Sequence, residues 1–70
     1  MVLFHLDMML LREKMSLTEL SDQVGITIAN LSVLKTGKAR AVRMDTLNKL
    51  CAALHCQPGD LMEYQEDQEN

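Results

Sequence analysis

Apolar side chains recur along this chain at spacings of three and four, broken by short polar or glycine-bearing steps, a rhythm that predicts helices rather than strands. Leu6, Met9 and Leu10 share one face of a first helix running from about Leu6 to Lys14. Ser16 and Glu19 then form an S-x-x-E capping box, in which each side chain bonds the other's backbone N–H, and Met15 is placed to staple against Leu20. The helix they open covers Leu17 to Val24 and stops at Gly25, the residue type best suited to left-handed backbone. Thr27 caps a third helix, Ile28 to about Thr36, with Ile26 and Leu31 as its staple and Gly37 as its stop. Lys38-Ala39-Arg40-Ala41-Val42-Arg43 has no helical period and reads as an exposed loop. Met44, Leu47, Leu50, Cys51 and Leu54 resume the period and predict a fourth helix with that face on the core. Pro58 suits the first position of a short fifth helix reaching to about Glu63, capped by Gln57. Val2-Leu3-Phe4 suits an extended segment that pairs with the chain near Met62 to Tyr64.

These elements make one domain over residues 1–62, followed by an acidic tail over residues 63–70 that is expected to be disordered. Composition points the same way. Leu and Met supply 18 of the 33 apolar residues and Val and Ile only six, a bias toward side chains that keep their rotamer freedom in a helix. With Phe4 and Tyr64 as the only aromatics, neither a β-sandwich core nor a base-stacking platform is expected. No apolar run approaches the length of a membrane span. The opening seven residues carry no base and do not read as a signal peptide, so a cytoplasmic protein is expected.

A net charge of −3 argues against nucleic acid until its distribution is considered. Residues 1–59 carry seven basic and five acidic side chains, while the last eleven residues carry five acids and no base. Between Lys35 and Lys49, five cations face the single Asp45. The average hides a basic stripe, and the stripe is what a polyanion would meet.

The second and third predicted helices are separated only by Gly25-Ile26-Thr27, a turn too short for antiparallel packing, which is the helix-turn-helix arrangement. Leu20, Val24, Ile26, Leu31 and Leu34 are apolar where the two helices and the core meet, and Ser21 is small where they approach. On Met15-Ser16-Leu17-Thr18-Glu19-Leu20-Ser21, Val24-Gly25-Ile26-Thr27, Leu31-Ser32-Val33-Leu34-Lys35-Thr36-Gly37-Lys38, Met44-Asp45-Thr46-Leu47-Asn48-Lys49-Leu50-Cys51-Ala52-Ala53-Leu54 and Pro58-Gly59-Asp60-Leu61-Met62, the chain resembles the Cro/CI-like helix-turn-helix proteins, also called the XRE or lambda-repressor-like family. The resemblance covers about residues 6–62 and is closest to short, stand-alone members. It implies an all-α, five-helix DNA-binding domain that forms a homodimer and sets helix 28–36 into the major groove of double-stranded DNA, acting as a transcriptional regulator of the repressor kind.

With Leu31 and Leu34 inward, about 100° per residue turns Ala29, Ser32, Val33 and Thr36 outward and leaves Ile28 on the flank. At the positions of Ile28, Ala29 and Val33 the family often carries Gln, Arg, Ser or Lys, which bond to base edges. Here all three are apolar, and Leu17 stands where Gln is frequent. The groups left to read DNA are Thr27, Asn30, Ser32 and Lys35, with thymine-methyl contact from Ile28, Ala29 and Val33, and phosphate contact from Lys38, Arg40 and Arg43.

That apolar outer face supports a rival reading: a protein-interaction module, such as an antitoxin or anti-regulator, that docks a partner on helix three and binds DNA weakly or not at all. An enzyme is not expected, because no nucleophile–base pair, phosphate loop or carboxylate pair has motif-level support. Neither a metal nor a cofactor is expected. Cys51, His55 and Cys56 lack a fourth ligand for tetrahedral zinc, and Cys51 falls on the seam of a core-facing helix.

Overall fold

The computed structural model describes residues 1–36 and 41–66. The chain runs β1 (Val2–Phe4), α1 (Leu6–Arg12), α2 (Leu17–Val24), α3 (Ile28–Lys35), α4 (Met44–Leu54), α5 (Pro58–Leu61) and β2 (Met62–Tyr64). Three of the five helix starts have a side-chain or proline cause close by in the sequence. At α2 the capping box is complete: Glu19 N–H donates to Ser16 Oγ at 3.0 Å and Ser16 N–H to Glu19 Oε1 at 3.1 Å. At α3 the Asn30 N–H donates to Thr27 Oγ1 at 3.2 Å. At α5 the Gln57 N–H donates to an Asp60 carboxylate oxygen at 2.9 Å, and Pro58 occupies the first turn.

The ends of α1 and α5 depart from the expected ones, and α3 ends at Lys35, one residue short of Thr36. α1 ends at Arg12 rather than Lys14, because Lys14 itself turns left-handed (φ 53°). Its N–H donates to Leu11 O at 3.2 Å and the Met15 N–H to Leu10 O at 2.9 Å, the paired bonds of a Schellman stop. His55, also at φ 53°, closes α4 in the same region of backbone space. α5 is shorter than expected, ending at Leu61, because Met62 is already extended. Gly37 lies outside the described residues.

The core is nine leucines and one valine: Leu6, Leu10, Leu20, Val24, Leu31, Leu34, Leu47, Leu50, Leu54 and Leu61. Among the described residues no polar or charged side chain is buried with them. Met15, Leu17, Ile26 and Cys51 pack against this cluster from its edge, Met15 and Ile26 from the segments just before α2 and α3. Met44 does not. It is 78% exposed, so the core-facing stripe of α4 begins one turn later, at Leu47.

β1 and β2 pair antiparallel, with Val2 opposite Tyr64, Leu3 opposite Glu63 and Phe4 opposite Met62. Glu63 and Tyr64, grouped with the acidic tail on composition, are therefore strand residues. The ladder is prolonged at both ends: His5 N–H donates to Leu61 O at 2.6 Å and Gln65 N–H to Met1 O at 2.8 Å. The Met1 ammonium donates to the Gln65 carbonyl, and His5 Nε2 lies 2.8 Å from Glu63 Oε1. Among the described residues no helix is long and apolar enough to cross a membrane.

Candidate nucleic-acid interface

The turn between α2 and α3 sets the angle at which α3 is presented. Gly25 adopts φ 70°, ψ 26°, and its N–H donates to Ser21 O at 2.9 Å, ending α2. A Cβ at residue 25 would meet nothing within 4 Å, so the demand for glycine comes from backbone strain and not from lack of room. Ser21 does more than stay small. Its hydroxyl donates to Ile26 O at 2.6 Å, tying the body of α2 to the exit of the turn. That bond spans five residues across a left-handed step, and no sequence spacing announces it.

Beyond the turn, Leu31 and Leu34 bury one side of α3 while the other side stays open. Thr27, Ala29, Asn30, Lys35 and Thr36 are exposed, Ser32 is half-buried, and Ile28 and Val33 are 45% and 46% exposed. The helical phase expected for Val33 is thus the one observed. The Thr27 hydroxyl oxygen is engaged as the helix cap, and the Thr36 hydroxyl donates to Val33 O at 3.2 Å. Neither is idle, yet both remain at the surface.

Arg43 is exposed just before α4, its Nε 3.3 Å from Asp45 Oδ1. A pair this exposed holds loosely and can exchange for another anion. Lys38 and Arg40 lie outside the described residues. The structure therefore brings Ile28, Ala29, Asn30, Ser32, Val33 and Lys35 onto one short helix capped by Thr27, with Arg43 on the segment leading into the next.

A second long-range tie joins α1 to the end of α4. Both 3.3 Å bonds of the Arg12 guanidinium go to the end of α4, to Leu54 O and His55 O. A cation at a helix C-terminus satisfies carbonyls that have no partner in the helix and complements the dipole. The charge of Arg12 was visible in the sequence, but its target lies more than forty residues away.

Over residues 5–67 the sequence matches the family model of the Cro/C1-type HTH DNA-binding domain. It is 56% identical over 68 residues to the "Uncharacterized HTH-type transcriptional regulator YozG" of Bacillus subtilis (strain 168), a match covering 97% of this chain and 81% of that protein.

Proposed function

The chain belongs to the Cro/C1-type helix-turn-helix family of DNA-binding domains, and from that premise we propose that it is a transcriptional regulator that binds DNA as a homodimer and represses by occlusion. One observation carries the reading. The domain spends Leu31 and Leu34 on holding α3 and buries no other residue of that helix, at the end of a turn that projects it. A helix so presented fits the B-DNA major groove, about 12 Å wide. Two copies related by a two-fold axis would address half-sites about 34 Å apart.

The division of labour follows from side-chain chemistry. Asn30, Ser32 and Thr27 carry hydrogen-bonding groups to base edges or sugar-phosphate, and Lys35 adds a cation at the end of the same helix. Ile28, Ala29 and Val33 cannot bond to a guanine edge and favour thymine methyls, so the preferred sites are expected to be rich in A·T pairs. Arg43, with Lys38 and Arg40, supplies sequence-independent attraction to phosphate.

Fluorescence anisotropy tests this, using the DNA upstream of the chain's own gene and a scrambled duplex over a salt series. Tighter binding to the upstream DNA, with a steep log–log salt dependence, is expected. Equal affinity for both duplexes would remove the sequence-specific part, and no binding to either at low salt would remove the function.

A second reading is favoured by the apolar residues of the open side of α3, where Ala29 and Val33 lie one turn apart and Ile28, 45% exposed, stands on the flank. On that reading α3 docks on a protein, and an added charge there is disruptive.

A further inference from the structure

Cys51 and Cys56 play no part in the proposed DNA face, yet the fold places them together. His55 turns left-handed between them, and the Cys51 carbonyl accepts both the His55 N–H and, at 3.1 Å, the Cys56 N–H. A bond closing six residues in this way stacks the side chain after the turn onto the one four places before the turn residue, which is where a helix stop usually carries an apolar contact. Here the two residues at those positions are Cys51 and Cys56, whose backbones the 3.1 Å bond from the Cys56 N–H to the Cys51 carbonyl holds together. Both are free and half-buried, and both line the groove between α4 and the start of α5, beside Asn48, Ala52 and Pro58.

We propose that Cys51 and Cys56 form a reversible intrachain disulfide, made by exchange with a low-molecular-weight disulfide such as oxidised glutathione, that clamps the turn between α4 and α5. One cysteine thiolate attacks a glutathione sulfur, breaking its S–S bond and releasing one glutathione thiolate, which takes up a proton. The second cysteine, deprotonated, then attacks the protein-bound sulfur and releases the second glutathione. Two cysteine thiols are oxidised by two electrons in all, and one glutathione disulfide is reduced to two thiols. The clamp acts where Arg12 also grips the chain, since its guanidinium bonds the carbonyls of Leu54 and His55.

Burial, the adjacent Cys51 and the carboxylate of Asp60 push the Cys56 thiol above its ordinary value, and Arg12 only partly opposes them. Because only the thiolate attacks, the exchange quickens as pH rises.

The test equilibrates the full chain in glutathione buffers of graded composition, then traps thiols with an alkylating agent and reads the intact mass. The expected product is a monomer 2 Da lighter that takes up no alkyl group, with little mixed disulfide at any composition. The same titration on the urea-unfolded chain should require conditions at least about tenfold more oxidising, since there nothing holds the thiols together. The Cys56→Ser variant, checked for folding by circular dichroism, should stop at one bound glutathione. Accumulation of mixed disulfide or covalent dimer in the wild-type chain would overturn the proposal, as would bridging that proceeds equally well in the unfolded chain.

Discussion

Replacing Val33 by arginine separates a DNA-reading α3 from a protein-docking one. The structure sets the stability cost. Val33 is 46% exposed, so only about half of its side chain is withdrawn from water. Full burial of a valine is worth roughly 1.5–3 kcal/mol, which puts the apolar loss near 1 kcal/mol. The higher helix propensity of arginine returns a few tenths of a kcal/mol. The residues one turn away, Ala29, Asn30 and Thr36, carry no charge to repel the new cation. The net loss is at most about 1 kcal/mol, and in a domain this small that lowers the melting midpoint by no more than about 4–8 °C. Circular dichroism should therefore report a folded protein. If α3 enters the major groove, Val33→Arg should bind non-specific duplex as tightly as the parent or more so, steepen the log–log salt slope by up to about one unit, and change the sequences recovered from random duplexes. If α3 docks on protein, the variant should stay folded but lose its partner or its oligomeric state in sedimentation. A variant that unfolds would place Val33 in the core and refute the helical phase on which both readings rest. A folded variant with unaltered salt slope, sequence preference and assembly would show that this face meets nothing.

Other perturbations probe the frame and the phosphate contacts. Gly25→Val should cost about 1–3 kcal/mol from backbone strain alone, with Gly25→Asn milder, and an unchanged melting temperature for the valine variant would contradict the left-handed turn. Ser21→Ala removes the hydroxyl bond to Ile26 O and should cost about 1 kcal/mol in denaturant titration; a smaller loss of DNA affinity than of stability would confine Ser21 to the frame. Lys38→Ala, Arg40→Ala and Arg43→Ala should each weaken specific and scrambled DNA alike and lower the salt slope by about one unit, whereas loss of specific binding only would place that side chain in a groove.

The parts of the fold readable in advance are those whose cause is local. Leu17–Val24 was legible to the residue because Ser16, Glu19 and Gly25 each act within four positions of a helix end. The β1–β2 pairing was legible from two short apolar segments at opposite ends of the sequence. The stops at Lys14 and His55 were not, since neither residue type signals left-handed backbone and both are held there by their surroundings. Met44 fits the period of α4 but precedes the point where that helix meets the core, and periodicity cannot register a helix that starts in solvent. On the candidate interface, the outward side of α3 followed from its inward leucines. The tie from Ser21 to Ile26 and the reach of Arg12 to α4 depend on tertiary geometry and left no pattern in the residues.

The pairing of Val2–Phe4 with Met62–Tyr64 also makes the path of the chain nearly a closed circuit, with Met1 bonded to Gln65. Two junctions that lie side by side are what a domain needs in order to be spliced into a surface loop of another protein without forcing that loop apart. The same closeness means that a segment fused ahead of Val2 and one fused after Tyr64 would leave from one edge and travel as neighbours. This small helical unit is therefore suited to being carried as a cassette, its two seams held together by backbone hydrogen bonds and α3 built wholly between them.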